Sequence, residues 1–224
     1  GKEKPLMKGV ILAGGLGSRL FPLTKVTNKH LLPVYNKPMI YYPLEILVQA
    51  GIKDIMVITG GTSSGDFMRL LGNGKNFGLK HLIYTYQEGE KGIAHALALA
   101  EHFAAGDKII VMLGDNIIEK DIKKEINIFS KQKRGARILL KEVDKPERFG
   151  VAEIRNNKLV KILEKPAIPP SRMVVTGIYM YDHQVFDFIK ELKPSSRGEL
   201  EITDVNNKYI EKNQMSFGVL KGWW

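Results

Sequence analysis

The sequence predicts a doubly wound α/β fold with extra antiparallel strands added in its second half. Three observations carry that prediction. Short apolar runs alternate with stretches of helical periodicity up to about residue 143. Glycine-rich turns close several of those runs. Beyond them the texture changes to short alternating segments divided by polar turns.

Taken in order, residues 8–13 are an apolar run closed by Gly14-Gly15, which reads as a buried strand feeding a tight turn. Residues 38–50 carry apolar side chains at helical spacing, with Pro38 suited to a first turn and Gly51 to a stop. Pro43 lacks a backbone donor, so this helix is expected to kink there or to start later. Residues 54–59 are the next buried strand, and strand, helix, strand with short links implies a right-handed parallel crossover. A helix from about residue 66, a strand at 82–86, a helix at 92–103 and a strand at 108–113 repeat the pattern. This last strand ends in Gly114-Asp115-Asn116. A helix at 118–131 and a strand at 137–143 follow, and then 149–154, 159–164 and 174–181 read as added antiparallel strands, with Asn156-Asn157 at a turn. Helices at 182–191 and 203–213 and a strand at 215–220 close the chain, which is expected to be a single domain over its 224 residues.

With 44% hydrophobic and 26% charged residues, the chain is too apolar for disorder to be its default state. It has no cysteine, which removes disulfides, thiolate zinc sites and a cysteine nucleophile, and is compatible with the cytoplasmic location expected. No run reaches the roughly 18 apolar residues of a membrane span. The formal charge of +10 favours anionic partners. Its lysines are scattered over expected helical surfaces (Lys123, Lys124, Lys131, Lys133) and no nucleic-acid-binding motif accompanies them, so they read as solvated faces; charge alone does not choose among anionic partners, and no nucleic-acid or membrane partner is expected. His30, His81, His95, His102 and His183 show no metal-ligand spacing and read as surface or core residues.

Glycines at 14, 15 and 17 directly after a buried strand supply the backbone freedom with which amides cradle a phosphate. A dinucleotide fingerprint fails, because Leu20 stands at the third glycine position and Pro22 follows. A Walker loop fails as well, since no Gly-Lys-Ser/Thr follows at the required spacing. On these residues alone, a plain glycine-rich strand-to-helix turn stays open.

The longer run Leu12-Ala13-Gly14-Gly15-Leu16-Gly17-Ser18-Arg19-Leu20 continues through Pro22-Leu23-Thr24, Asn28-Lys29 and Leu31-Leu32-Pro33 to Lys37-Pro38. It resembles the signature of the sugar-1-phosphate nucleotidylyltransferases. Val34-Tyr35-Asn36-Lys37-Pro38-Met39-Ile40-Tyr41-Tyr42-Pro43-Leu44 resembles the thymidylyltransferase branch. Similar matches recur at Gln87, Leu113-Gly114-Asp115-Asn116, Phe149-Gly150-Val151, Glu164-Lys165-Pro166, Val175-Thr176-Gly177 and residues 197–204.

The resemblance implies a Rossmann-like (GT-A-like) mixed sheet whose residues 1–116 mainly bind nucleotide and whose residues 117–224 mainly bind sugar phosphate. It also implies a homo-oligomer and Mg²⁺ as cofactor. The reaction implied joins glucose 1-phosphate to the α-phosphorus of dTTP and expels pyrophosphate. Arg19 and Lys29 would neutralise charge on the reacting phosphates. Leu12, Ala13, Gly14, Gly15, Gly17, Ser18, Gln87 and Gly92 would bind nucleotide, and Gln87 offers an amide able to pair with a pyrimidine edge. Asn116, Gly150, Glu164, Lys165, Val175, Tyr179 and Arg197 would surround the sugar phosphate. Asp115, just after a buried strand, would hold the metal, although an N-cap role is the alternative for an Asp there. In the family a second metal carboxylate follows a tryptophan in a W-x-D-type motif, and the sequence ends at Trp223-Trp224. Lys29-His30 in place of Lys-Gln, Phe149 in place of a tyrosine and no proline across residues 87–94 depart from the branch pattern. A UTP-dependent enzyme and a nucleotide-sugar-binding protein without catalysis are the alternatives.

Overall fold

A computed structural model describes residues 7–14, 33–34, 37–62 and 64–224. The apolar run expected first forms β1 (Lys8–Leu12). A short antiparallel pair, β2 (Pro33–Val34) and β3 (Lys37–Pro38), precedes α1 (Tyr41–Gln49). Pro43 therefore falls in the first turn of α1, where its missing N–H has no intrahelical partner to lose, and the helix starts late instead of kinking. β4 (Asp54–Gly60), α2 (Ser64–Leu71) and β5 (His81–Gln87) follow as expected.

The helix expected at 92–103 is divided into α3 (Ile93–Ala98) and α4 (Glu101–Ala104). The amides of Leu99 and Ala100 donate three residues back, to Ala96 and Leu97, which tightens the chain between the two pieces. After β6 (Ile109–Leu113), the helix expected from 118 begins only as α5 (Lys123–Lys131). The intervening residues are committed elsewhere. Glu119 exchanges two hydrogen bonds with the backbone of Trp223, and Asp121 Oδ1 accepts the Lys123 amide at 3.0 Å.

β7 (Ala136–Glu142), β8 (Gly150–Arg155), β9 (Lys158–Glu164) and β10 (Met173–Tyr181) lead to α6 (Gln184–Glu191), α7 (Ile202–Glu211) and β11 (Met215–Val219). Asn156 and Asn157, with φ of 50° and 60°, make the hairpin turn between β8 and β9, which asparagine tolerates better than most residues.

Among the described residues the main sheet runs β11-β7-β10-β6-β1-β4-β5, with the β8–β9 hairpin attached to β10. β10 is antiparallel to both β6 and β7, while the β6-β1-β4-β5 block is parallel. Two apolar layers flank the sheet. Val10 and Leu12 of β1 face a core shared with α3, α6 and α7. Ile11 and Ala13 face the other, with α1 and the buried side of α5. The period-two alternation of a strand thus supplies both cores from one segment.

Candidate active site

The chain leaves β1 towards β4 and β5, then returns to place β6 on the other side of β1. Open α/β sheets bind ligands in the crevice that such a reversal leaves beyond the strand carboxyl ends. Here a cleft of about 590 Å³ opens at that edge, within the range of small-molecule sites. Its floor is stitched together by the ends of three strands: the Ala13 amide donates to Ile58 O and the Gly114 amide to Leu12 O, each at 2.8 Å.

Twelve of the residues expected at a site line this cleft: Leu12, Gly14, Gln87, Gly92, Asp115, Asn116, Gly150, Glu164, Lys165, Val175, Tyr179 and Arg197. Ala13 does not, because its side chain is buried in the core on the opposite face of β1. Gly15, Gly17, Ser18, Arg19 and Lys29 lie outside the described residues.

On the strand side, Gln87 ends β5 and its amide nitrogen lies 3.3 Å from Gly92 O and 3.1 Å from His95 Nδ1. Gly92, with φ of 96°, opens α3 from a conformation that side chains rarely adopt. A Cβ there would sit 2.4 Å from Leu200 O. The loop thus presses backbone to backbone on the segment before α7, tied by Leu200 N–H to Lys91 O at 2.9 Å.

At the centre, Asp115 stands exposed just beyond β6 while Asn116 beside it is buried. Asn116 Oδ1 accepts the Gly177 amide at 3.0 Å and Trp224 Nε1 at 2.8 Å. The pairing register of β10 with β7 slips between Val175 and Tyr179, and this irregularity turns the Gly177 amide towards Asn116. Trp224 also packs on Phe149, with ring centroids 5.4 Å apart.

On the hairpin side, Glu164 ends β9 and accepts the Thr203 hydroxyl at 2.7 Å. Lys165 has φ of 43°, an uncommon conformation for a lysine, with its amide bound to Phe149 O at 2.9 Å. Its side chain is exposed. Burial pushes the Tyr179 hydroxyl well above its usual range, helped by the nearby charges of Glu164 and Asp115. Tyr179 therefore stays a neutral donor in the cleft. Arg197 is exposed on the rim and pairs with Glu201 at 2.9 Å and Glu199 at 3.6 Å; the hydrogen bond to Glu201 is the largest influence raising its pKa. Around Asp204, desolvation and then Glu201 and Glu164 raise the carboxyl pKa.

A cleft with backbone amides and an amide side chain on one wall, and carboxylates, a lysine and sugar-sized polar groups on the other, suits a ligand with a base at one end and a hydroxylated ring at the other. Residues 8–224 match the nucleotidyl transferase family model. The chain belongs to the nucleotidyl transferase family. It is 46% identical over 216 residues to glucose-1-phosphate thymidylyltransferase of Neisseria meningitidis, covering 96% of this chain and 75% of that relative. A crystal structure from Bacillus anthracis, provisionally assigned as a glucose-1-phosphate thymidylyltransferase and holding sucrose, is 54% identical with a TM-score of 0.93, over 97% of this chain and 88% of that one. UDP-glucose pyrophosphorylase complexed with UDP-glucose shares the fold at 23% identity, with a TM-score of 0.86 over 97% and 91% of the two chains.

In this nucleotidyl transferase several site contacts were not legible from the residues alone. Thr203 behind Glu164, and Gly177 with Trp224 on Asn116, come from segments far apart in sequence, while His95, eight residues after Gln87, reaches its amide through the turn into α3. Thr203 and Gly177 lie inside motifs that the resemblance had marked, which was the available signal. His95 carried none. Among the described residues no three His, Asp or Glu side chains gather as a metal cluster, and no helix is long and apolar enough to cross a membrane.

Proposed function

We propose that this chain forms dTDP-glucose and pyrophosphate from dTTP and glucose 1-phosphate. The observation that carries the reading is convergence: Gly14, Gln87 and Gly92 from residues 1–116 share one cleft with Gly150, Glu164, Lys165 and Tyr179 from residues 117–224, with Asp115 and Asn116 between them. The two halves serve as the nucleotide side and the sugar-phosphate side. The names of the similar thymidylyltransferases support the same substrate pair.

The base lies against Gln87 and Gly92, and the triphosphate runs towards Asp115. A sugar phosphate oxygen attacks the α-phosphorus in line, and the bond to the pyrophosphate oxygen breaks. With a second pKa of about 6, the sugar phosphate is already mostly a dianion near neutral pH, so no strong general base is needed. Positioning and charge neutralisation carry the step. Lys165 holds the sugar phosphate, Glu164 accepts sugar hydroxyls, and Asn116 and Tyr179 offer donors to the ring. Arg19 and Lys29 supply cationic charge at the reacting phosphates by family resemblance. Asp115 is an exposed carboxylate lining the cleft just beyond β6, a hard oxygen donor of the kind that suits Mg²⁺, so it would hold the ion. When bound, the ion neutralises phosphate charge.

The test is pyrophosphate release with Mg²⁺ and glucose 1-phosphate, comparing dTTP, UTP, CTP, ATP and GTP. Release with dTTP above the others is expected. Faster release with UTP makes the protein a uridylyltransferase, and binding without release makes it a nucleotide-sugar-binding protein.

A further inference from the structure

The amide of Gln87 is held by two neighbours that leave it one orientation. Its nitrogen lies 3.3 Å from Gly92 O and 3.1 Å from His95 Nδ1. A carbonyl oxygen can only accept, so the amide edge that faces Gly92 O must be the NH₂ group. Its second N–H then points at His95 Nδ1, which must accept, and the imidazole proton sits on Nε2. Both amide hydrogens are thereby used on the protein side. The oxygen is left beside Gly14, 3.6 Å from where a Cβ on that residue would lie, and both residues line the cleft.

We propose that His95 is a positioning residue that locks the Gln87 amide with its oxygen towards the ligand, and so selects bases with a ring N3–H over bases whose N3 is an acceptor. This rests on the reading that a nucleotide base lies against Gln87. Thymine and uracil present an N3–H donor, which meets the amide oxygen, whereas cytosine presents a lone pair there and would need the amide turned over. Turning it over would set the amide oxygen against Gly92 O, and against the His95 Nδ1 lone pair as well unless the ring moved its proton from Nε2 to Nδ1, so the turn costs repulsive contacts or a change of tautomer. Without His95 only the longer contact to Gly92 O opposes the turn. His95 does not line the cleft, so it acts through Gln87 and not on the ligand.

The test compares the affinities of dTTP and dCTP, by calorimetric titration, for the wild type, His95→Ala and His95→Asn, alongside pyrophosphate release by the wild type. Asparagine can keep an acceptor oxygen where Nδ1 stands. The preference for dTTP over dCTP should fall by about fivefold or more in His95→Ala, the order of one net hydrogen bond, and return in His95→Asn. An unchanged ratio in His95→Ala, or no recovery in His95→Asn, overturns the proposal. A wild type that binds dTTP but releases no pyrophosphate refutes the proposed reaction and leaves this comparison intact. Should His95→Ala not fold, the ¹⁵N shifts of the His95 ring in the wild type decide: Nδ1 unprotonated is expected, and a proton on Nδ1 overturns the assignment.

Discussion

Replacing Gly177 by alanine should loosen the centre of the cleft. The added Cβ would lie 2.0 Å from Asn116 Nδ2, 2.6 Å from its Cγ and 2.8 Å from its Oδ1. Carbon contacts settle near 3.5–4.0 Å, so the Asn116 side chain would have to move by more than about 1 Å. It has little room, being 6% exposed and anchored at Oδ1 by Gly177 N–H and Trp224 Nε1. Losing those two hydrogen bonds costs about 0.5–1.5 kcal/mol each. Residual overpacking adds about 1–3 kcal/mol. The expected loss is therefore about 2–6 kcal/mol, a large share of the ~5–15 kcal/mol that stabilises a typical domain. Guanidinium unfolding measures it, and adding Asn116→Ala should relieve the clash, so the double variant is more stable than the two single effects added together. If Gly177→Ala unfolds within about 0.5 kcal/mol of the wild type, or the two changes simply add, Asn116 is not held as argued.

Three further outcomes follow from the same geometry. Gly92→Ala meets Leu200 backbone atoms at 2.4 and 2.9 Å from a φ of 96°, and backbone cannot step aside as a side chain tip can; a loss of about 3 kcal/mol or more in denaturant unfolding is expected, and a wild-type midpoint would refute the close approach. Thr203→Val keeps shape but removes the 2.7 Å hydrogen bond to Glu164, so the KM for glucose 1-phosphate should rise about three- to tenfold with a smaller change in kcat; an unchanged KM would mean that Glu164 holds its place without Thr203. Tyr179, Tyr181 and Tyr209 all have pKa values pushed up chiefly by burial. Their folded values exceed the unfolded value of about 10, so the stability they contribute is complete below pH 10 and is lost as pH rises through and beyond it. Ultraviolet difference titration should show these three of the eight tyrosines ionising only with alkaline unfolding, and all eight titrating together near pH 10 in the folded protein would contradict the burial.

Of the fold, the parallel core was legible because buried strands announce themselves as unbroken apolar runs and crossover helices as a change of period. β1, β4, β5 and β6 fall within a residue or two of their expected spans. The helix limits were less legible, since they depend on partners distant in sequence. α5 starts late because Glu119 is engaged by Trp223, more than 100 residues away, which no local propensity encodes.

By itself, then, the sequence determined the alternation of strands and helices, the Asn156-Asn157 turn and the motifs that carry the family resemblance, all of which are properties of neighbours along the chain. Only the tertiary structure decided which of those motifs meet. Strand order set β1 beside β6 and opened the cleft there. The slip in β10 aimed Gly177 at Asn116, and the approach of α7 set Thr203 behind Glu164. Hydrogen bonds act over about 3 Å, and whether two groups come that close depends on packing across the whole sheet rather than on their separation in sequence.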